Sequence, residues 1–155
     1  AYGADPDRKS GAGKSYVVLG KKENNSPIKL SQIANGNGGF VIIGEAEYQY
    51  SGISVSSAGD NNGDGLADLI IGATGADNYA GRTYVVFGQN ESNNPVQLSD
   101  IAEGKGGFVI HGEASHDASG SSVSSVGDHN GDGLDDLIIG AHSADNYAGK
   151  AYVLL

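Results

Sequence analysis

The hydrophobic residues of this chain fall in short runs that are separated by turn-forming residues. Gly52-Ile53-Ser54-Val55-Ser56 alternates in polarity, which predicts a half-buried strand that we call A. Runs rich in β-branched and aromatic residues predict strands B, C and D at 68–72, 83–87 and 107–110. The Gly, Asn, Asp and Ser residues between the runs favour turns. Helical periodicity is weak, and its best candidate, 30–34 with a copy at 98–102, predicts a single turn.

The pattern repeats along the chain with a spacing of 68 residues. The motif that begins at Tyr16 returns at Tyr84 and Tyr152, and the motif that begins at Gly39 returns at Gly107. Roughly two-thirds of the aligned positions are identical between copies. Residues 1–5 match the segment after strand B, so a third, partial copy opens the chain. The chain therefore holds a duplicated structural module.

Four strands at this period predict an all-β fold built from β-propeller blades of four antiparallel strands, about two blades per chain. A β-sandwich is the alternative, but it does not explain the fixed recurrence of the strands. We expect one propeller fragment over 1–155. Within it we expect a partial repeat with strands C and D at 1–50, a complete repeat at 51–118 and a partial repeat with strands A to C at 119–155.

The strongest chemical signal is a nine-residue run between strands A and B. It reads Asp60-Asn61-Asn62-Gly63-Asp64-Gly65-Leu66-Ala67-Asp68, with side-chain oxygens at positions one, three, five and nine. Glycine at position six permits a sharp turn that aims the carbonyl of position seven inward. Hard oxygen ligands on a flexible loop suit Ca²⁺. The second repeat carries the same pattern, so we predict two Ca²⁺ per chain. The predicted ligands are Asp60, Asn62, Asp64, Leu66, Asp68, Asp128, Asn130, Asp132, Leu134 and Asp136.

These loops differ from an EF-hand, which needs an acidic ligand at position twelve. Ile71 and Ile139 occupy that position, and a strand rather than a helix follows. A polar turn without metal is the alternative. Three carboxylates on one short loop repel each other when no cation is present, which favours the metal site.

The composition of the chain argues against several classes of partner, binding site and activity. The net charge of −10 argues against nucleic acid, and two Ca²⁺ would bring it to about −6. Cysteine is absent, which excludes disulfides and thiolate metal sites. The longest apolar runs are far shorter than a membrane span. We found no catalytic constellation and predict no enzyme activity in this chain.

The order of these motifs resembles a known family. The calcium loop, then Leu-Ile-Ile-Gly-Ala, then Gly-(Arg/Lys)-x-Tyr-Val is similar to the FG-GAP repeat of integrin α-subunit β-propellers and their bacterial relatives. The Phe-Gly of the family name is Ser51-Gly52 here, and the metal-ligand positions are retained. The resemblance implies a propeller of about seven blades at the cell surface or outside the cell, with calcium stiffening loops on one face.

The resemblance implies a structural or adhesion module. Two alternatives remain open: a carbohydrate-binding propeller, and a non-catalytic accessory domain of a larger secreted enzyme. Tyr48, Tyr50, Tyr79 and Tyr147 fall in loops and either form a binding surface for a protein or glycan ligand or cap the blade edges.

Two blades cannot close a ring, so we expect unpaired strand edges. The expected partners are further copies that complete a closed propeller, or remaining blades of a longer parent chain. The N-terminal strand D is a candidate to complete the C-terminal blade, in the same chain or in a neighbour. Two C strands, near Tyr16 and Tyr152, then compete for one place.

Several weaker signals are interpreted as structural. Gly11-Ala12-Gly13-Lys14-Ser15 resembles a P-loop, but a strand is expected to follow it. The four histidines all lie in the second repeat and are expected at the surface. Asp135, beside the predicted ligand Asp136, is expected to be solvated. Asn24 and Asn90 begin glycosylation-like patterns.

Overall fold

The computed structural model describes residues 1–6, 9–22, 26–90 and 94–155. The two glycosylation-like patterns include residues outside these ranges. The described residues form an all-β fold of antiparallel sheets that correspond to partial propeller blades. The strands are β1 (Lys14–Val18), β2 (Gly39–Ile43), β3 (Ser54–Gly59), β4 (Asp68–Ala73), β5 (Arg82–Val86), β6 (Val96–Gln97), β7 (Gly107–His111), β8 (Ser119–Gly127), β9 (Asp136–Ala141) and β10 (Lys150–Leu154).

Three sheets follow one another along the chain. The middle sheet has four strands in the order β3-β4-β5-β7, which are the predicted strands A, B, C and D. The C-terminal sheet holds β8, β9 and β10, equivalent to A, B and C. The N-terminal sheet pairs β1 with β2, equivalent to C and D, and adds the short parallel strand β6.

Strand A begins later in the middle sheet than the sequence pattern predicts. The prediction started at Gly52, whereas β3 begins at Ser54 and runs on to Gly59. Gly52 has a φ of 84°, which lies outside the range of an extended strand. The pairing register with β4 then shifts between Ser57 and Gly59, as it does at a β-bulge.

The N-terminal strand D does not complete the C-terminal blade within the same chain, so that alternative is wrong. Strand β2 pairs with β1 over its whole length, from Gly39 opposite Val18 to Ile43 opposite Lys14. Its other edge pairs with β6 at Ile42 and Ile43. The nearest strand C along the chain therefore takes β2, in keeping with the tendency of consecutive strands to pair.

Four helical turns connect the strands: α1 (Leu30–Ala34), α2 (Ala76–Tyr79), α3 (Leu98–Ala102) and α4 (Ala144–Tyr147). The single turns predicted at 30–34 and 98–102 are confirmed as α1 and α3. The turns α2 and α4 were not predicted. Their φ values are positive at three consecutive residues, for example 52° at Asp77, 56° at Asn78 and 62° at Tyr79.

Two hydrophobic clusters hold the three sheets together. The first lies between the N-terminal and middle sheets and includes Ile42, Tyr84 and Val86, with Leu98 and Ile101 of α3 covering one end. The second joins the middle and C-terminal sheets through side chains such as Val85 and Leu137. Neighbours along β5 therefore point into opposite clusters, as alternation along a strand requires. None of the helices formed by the described residues has both the length and the apolar character needed to cross a membrane.

Candidate metal centre

The two predicted metal-binding runs form loops that join strand A to strand B in their sheets. Residues 60–68 connect β3 to β4, and residues 128–136 connect β8 to β9. Asp68 and Asp136, at position nine, are the first residues of β4 and β9. Their side chains are buried, with exposed fractions of 0% and 2%. Each loop is therefore held at both ends by paired strands.

Position one organises each loop by accepting several backbone hydrogen bonds. Oδ1 of Asp60 accepts from the N–H groups of Gly63 at 2.8 Å and Asp64 at 3.0 Å, and Oδ2 accepts from Gly65 at 2.9 Å. Asp128 makes the same bonds in the second loop. The carboxylate therefore sits inside a tight curl of backbone. Position six has a φ of 84° in the first loop, as the predicted sharp turn requires.

Positions three, five and seven continue the curl. Oδ1 of Asn62 accepts from the N–H of Asp64 at 2.9 Å, and Oδ1 of Asp64 accepts from the N–H of Leu66 at 2.8 Å. Nδ2 of Asn62 donates to Oδ2 of Asp64 at 2.9 Å. Asn130, Asp132 and Leu134 repeat this arrangement. The bond from Leu134 lowers the pKa of Asp132, because it favours the charged carboxylate.

Position nine closes each loop from the buried side. Oδ2 of Asp68 accepts from the N–H of Asn61 at 3.0 Å, and Oδ1 accepts from the N–H of Gly88 at 2.8 Å. Burial raises the pKa of Asp68, and the negative charges of Asp64 and Asp60 add to the increase, while the two backbone bonds oppose it. In the second loop, Oδ2 of Asp136 accepts from the N–H of His129 at 2.8 Å.

The donor chemistry of each loop fits a hard divalent cation. Three carboxylates, one amide oxygen and one backbone carbonyl provide oxygen ligands only. The buried Asp68 carboxylate lies near two other negative charges, so a cation there would relieve both desolvation and repulsion. Within the part of the chain that the structure describes, no group of three or more acidic or histidine side chains is arranged closely enough to hold a metal. The carboxylates instead turn toward backbone N–H groups, as the metal-free polar turn also would.

Asp135 does not lie free in solvent, which corrects the expectation from sequence. It is half-buried, and its Oδ2 accepts from the backbone N–H of Asp60 at 2.8 Å. Its own N–H donates to the carbonyl of Asp60 at 3.1 Å, and Nδ2 of Asn61 donates to its carbonyl at 2.7 Å. The second loop is thus fastened to the first. The signal in the sequence was the replacement of Ala67 by an acid at the equivalent position.

A second polar cluster recurs at the opposite ends of the strands, and sequence reasoning missed it. The Glu45 carboxylate accepts from Tyr84 Oη at 2.6 Å and from Arg82 Nη1 at 2.7 Å. Arg82 also binds Asp77 through two nitrogens, at 2.8 and 2.7 Å. Burial raises the pKa of Tyr84, and the neighbouring Glu45 adds to the increase. Glu113, Lys150 and Tyr152 repeat the cluster at the next junction. Recurrence of Glu-Ala after strand D at a spacing of 68 residues could have revealed it.

The four loop tyrosines have different surroundings. Tyr50 packs edge-on against Tyr2 with ring centroids 6.4 Å apart, and Tyr79 stacks on His116 at 5.9 Å. Tyr147 is 82% exposed, and Tyr48 is also exposed.

All four histidines are exposed, as predicted. The P-loop-like segment leads into strand β1, as expected.

A family model for the FG-GAP repeat matches residues 51–86 and 119–154. The first match begins three residues before β3 and the second begins with β8, and each ends with the last residue of its strand C. Both therefore include a complete candidate metal loop and the strands on either side of it.

Curated proteins also align with most of the chain. Integrin alpha pat-2 of Caenorhabditis elegans is 30% identical over 150 residues, covering 95% of this chain and 11% of that protein. Integrin alpha-5 of Xenopus laevis is 36% identical over 135 residues, covering 80% of this chain and 12% of that protein. Phosphatidylinositol-glycan-specific phospholipase D of Rattus norvegicus is 31% identical over 137 residues, covering 83% of this chain and 16% of that protein.

The chain thus spans less than a fifth of the length of these relatives. Three observations agree with one another. The sequence repeats with a spacing of 68 residues, the middle sheet has the strand order of a four-stranded blade, and the family model matches one segment in each of two repeats. The chain therefore contains two FG-GAP repeats and is homologous to integrin α-subunits.

Proposed function

We propose that the chain is a non-catalytic, calcium-binding propeller module with a structural or adhesive role outside the cell. The observation that carries the proposal is the pair of matching loops, each with a buried carboxylate at position nine. Burial of such a carboxylate costs free energy that its backbone hydrogen bonds offset only in part, and a bound cation would offset more of it. The similarity to integrin α-subunits supports the location and the role.

Five residues of the first loop would act as ligands of the Ca²⁺ ion. Asp60, Asn62 and Asp64 would supply side-chain oxygens from the exposed arm of the first loop, and Asp68 would supply one from the buried arm. The carbonyl of Leu66 would complete the set. When bound, Ca²⁺ supplies the positive charge that lets three carboxylates lie close together. The cation would thereby tie strand β3 to strand β4.

Thermal melting with and without a chelator tests the proposal. An ion at about 100 times its dissociation constant stabilises the folded state by about 2.7 kcal/mol per site. We therefore expect Ca²⁺ to raise the melting temperature, and calorimetric titration to report two ions per chain. Asp64→Ala and Asp132→Ala should each reduce the number of ions to one, while Asp100→Ala, on the exposed side of α3, should leave two. An unchanged melting temperature would remove calcium from the proposal.

Glycan binding is a second candidate, supported by a polar groove in the second repeat. Ser115, Asp117, Asn146 and the exposed ring of Tyr147 line a cavity of about 210 Å³. An aromatic face beside several hydrogen-bonding groups suits a sugar ring. A glycan array, repeated with Tyr147→Ala, would separate the two candidates. Binding that survives in the variant would exclude this groove.

The similarity to phospholipase D enzymes supports a third, narrower role. The matched segment covers only a small part of those proteins, and the family repeat is non-catalytic. In a larger secreted enzyme this chain would serve as an accessory domain. We propose no reaction for its own residues.

A further inference from the structure

We propose that Asn37 is a site of spontaneous covalent modification, at which the backbone nitrogen of Gly38 displaces the side-chain amide of Asn37. The site lies in the turn at 35–38, between α1 and β2. Water is the co-reactant, and the proposal does not depend on calcium. The product carries an aspartyl or an isoaspartyl residue in place of the asparagine.

The reaction needs an asparagine followed by a residue that leaves its backbone nitrogen accessible. The Gly38 nitrogen loses its proton to hydroxide and forms a bond to Cγ of Asn37. The bond from Cγ to Nδ2 breaks, and Nδ2 takes a proton from water and leaves as ammonia. Water then opens the cyclic imide at either of its carbonyl carbons, which gives the aspartyl or the isoaspartyl product. Glycine favours ring closure, because it has no Cβ beside the attacking nitrogen.

Asparagine precedes glycine at four positions, and exposure does not distinguish them. All four asparagine side chains are exposed, and they belong to Asn35, Asn37, Asn62 and Asn130. The positions differ in the hydrogen bonding of the glycine N–H that follows. Attack requires removal of that proton, so a hydrogen bond that holds the proton on the nitrogen slows the reaction. The bonding of each glycine N–H therefore predicts which asparagine reacts.

Three of the four glycine N–H groups are hydrogen-bonded. In the first metal loop, the N–H of Gly63 donates to Oδ1 of Asp60 at 2.8 Å, and the second loop repeats this bond at 2.6 Å. A carboxylate beside the nitrogen also opposes its ionisation, because both groups would then be negative. At the end of α1, the N–H of Gly36 donates to the carbonyl of Ile33 at 2.9 Å. These three sites are therefore protected.

Gly38 differs from the other three glycines, since no group in the described part of the chain accepts its N–H. Its carbonyl accepts from the N–H of Leu19 at 2.9 Å, and the N–H of Asn37 donates to the carbonyl of Gln32 at 2.9 Å. The side-chain amide of Asn37 likewise has no hydrogen bond within the described residues. The backbone is therefore held on both sides of the reacting peptide, while the groups that react are available.

Lys21 places a positive charge beside this peptide. A Cβ on Gly38 would lie 3.2 Å from Nζ of Lys21 and 3.4 Å from its Cε, so the ammonium group lies against the Gly38 backbone. Positive charge favours the ionised nitrogen and the oxyanion that forms when this nitrogen attacks. Charge therefore assists the reaction at Gly38, whereas the loop carboxylates oppose it at Gly63 and Gly131.

The second repeat contains the same turn without the reactive pair. Lys105 and Gly106 stand in its place, and Gln89 stands where Lys21 does in the first repeat. The φ of Gly106 is 76°, close to the 83° at the equivalent glycine, and its N–H also has no acceptor among the described residues. Nε2 of Gln89 would lie 3.9 Å from a Cβ on Gly106. The second turn is therefore a control that differs in its side chains but not in its backbone.

Peptide mapping by mass spectrometry, after incubation of the folded chain at mildly alkaline pH, tests the proposal. We expect Asn37 to lose its amide about tenfold faster than the asparagines at 35, 62 and 130. In guanidinium chloride, where the protecting bonds are absent, all four should react at similar rates. Equal rates in the folded chain would overturn the proposal. The same preference for Asn37 in guanidinium chloride would also do so, because the fold would then not be its cause.

Two variants separate the effect of the positive charge from that of the available N–H. Lys21→Gln should slow the reaction of Asn37 by about fivefold, the effect of one unit charge at close range in water. Lys105→Asn should make the second turn reactive at a similar rate, because both turns then place an asparagine and a glycine beside a neutral amide. An unchanged rate in Lys21→Gln would refute the role of the charge. An unreactive second turn in Lys105→Asn would refute the role of the N–H.

The identity of the product shows which group attacks the side chain. Attack by the Gly38 nitrogen gives a mixture of isoaspartate and aspartate at position 37, whereas direct hydrolysis of the side chain by water gives aspartate alone. Methylation by an isoaspartyl methyltransferase detects the first product. We expect isoaspartate at this position in the folded, aged chain. Aspartate alone would exclude the Gly38 nitrogen as the attacking group.

Discussion

The carboxylate of Asp135 accepts a hydrogen bond of 2.8 Å from the backbone N–H of Asp60, 75 residues earlier in the chain. A return bond of 3.1 Å joins the N–H of Asp135 to the carbonyl of Asp60. Asp60 is position one of the first loop, and Asp135 precedes position nine of the second. The two candidate metal loops are therefore fastened to each other, and neither can move far without moving its neighbour.

Removing this carboxylate should destabilise the fold. Asp135→Ala leaves the partly buried N–H of Asp60 without its charged partner, so we expect a loss of about 1.5–3 kcal/mol in the free energy of unfolding. Urea denaturation in the presence of a chelator measures this without any contribution from metal. Asp100→Ala, which removes an exposed carboxylate, should change stability by less than about 0.5 kcal/mol. Similar losses in the two variants would contradict the role given to Asp135.

Gly59 and Gly127 allow the same contact to be tested from the other side. Both have positive φ, 70° and 72°, so alanine has a similar backbone cost at each. A Cβ at Gly59 would overlap the Asp135 carboxylate, whereas at Gly127 the nearest atom of that carboxylate is 3.9 Å away. We expect Gly59→Ala to be the more destabilising by about 1–3 kcal/mol in thermal or urea unfolding. Combined with Asp135→Ala, it should cost less than the sum of the two single losses, because the overlapping carboxylate is removed while the Cβ of residue 135 remains in the way. An additive double variant would refute the overlap.

Arg82 and Lys150 form a natural comparison between two cations at the same position. Arg82 binds Asp77 through two nitrogens and also reaches Glu45, whereas Lys150 lies 3.2 Å from Glu113 and 3.9 Å from Asp145. Since lysine cannot reproduce the planar fork, Arg82→Lys should cost about 1–2 kcal/mol of stability. Lys150→Arg should be neutral or slightly stabilising. Urea denaturation of both variants checks the pair, and equal losses at the two sites would count against it.

The Asp77 ion pair should make stability depend on pH in the acid range. Hydrogen bonds from Arg82, and then from His111, lower the pKa of Asp77 below its ordinary value of 3.8. The charged carboxylate is favoured in the folded state, so its contribution is present above pH 3.8 and disappears as the pH falls through the lowered pKa. The side chain is 37% exposed, so we expect less than about 1 kcal/mol.

The difference in unfolding free energy between the unmodified chain and Asp77→Asn measures that contribution. It should shrink as the pH falls below 3.8. Asp145→Asn is the matched control, because Asp145 lies 3.9 Å from Lys150, whereas Asp77 lies 2.7 Å from Arg82. Its difference should be smaller throughout. A difference for Asp77→Asn that grows as the pH falls below 3.8 would show that the sign is wrong.

Local patterns in the sequence predicted the strands, because the order of polar and apolar residues within a strand reflects which of its side chains are buried. The alternation around Val55 and the apolar run that begins at Leu69 are both visible without any knowledge of neighbours. The exact start of β3 was missed, since the left-handed backbone at Gly52 depends on the linker that passes there. The pairing of β6 with β2 joins residues more than 50 positions apart and leaves no local signature.

The candidate metal loops likewise have some features that the sequence could predict and others that it could not. The spacing of Asp60, Asn62 and Asp64 predicted a curled loop, because those side chains bind backbone groups within five residues. The contact of Asp135 with Asp60 could not be predicted, because it depends on how two sheets pack. The prediction of calcium came from the oxygen ligands in the loops and not from the pattern of strands.

The turns α2 and α4 have a left-handed backbone conformation that is unusual for L-amino acids. Three successive residues in each follow a left-handed path, which costs about 1–2 kcal/mol per residue for most L-amino acids. Aspartate and asparagine tolerate this path better than other side chains, but Tyr79 and Tyr147 do not share that tolerance. A tyrosine of the opposite hand would fit this backbone with less strain than the natural enantiomer. The fold thus presents two aromatic rings from positions that stereochemistry alone would assign to glycine.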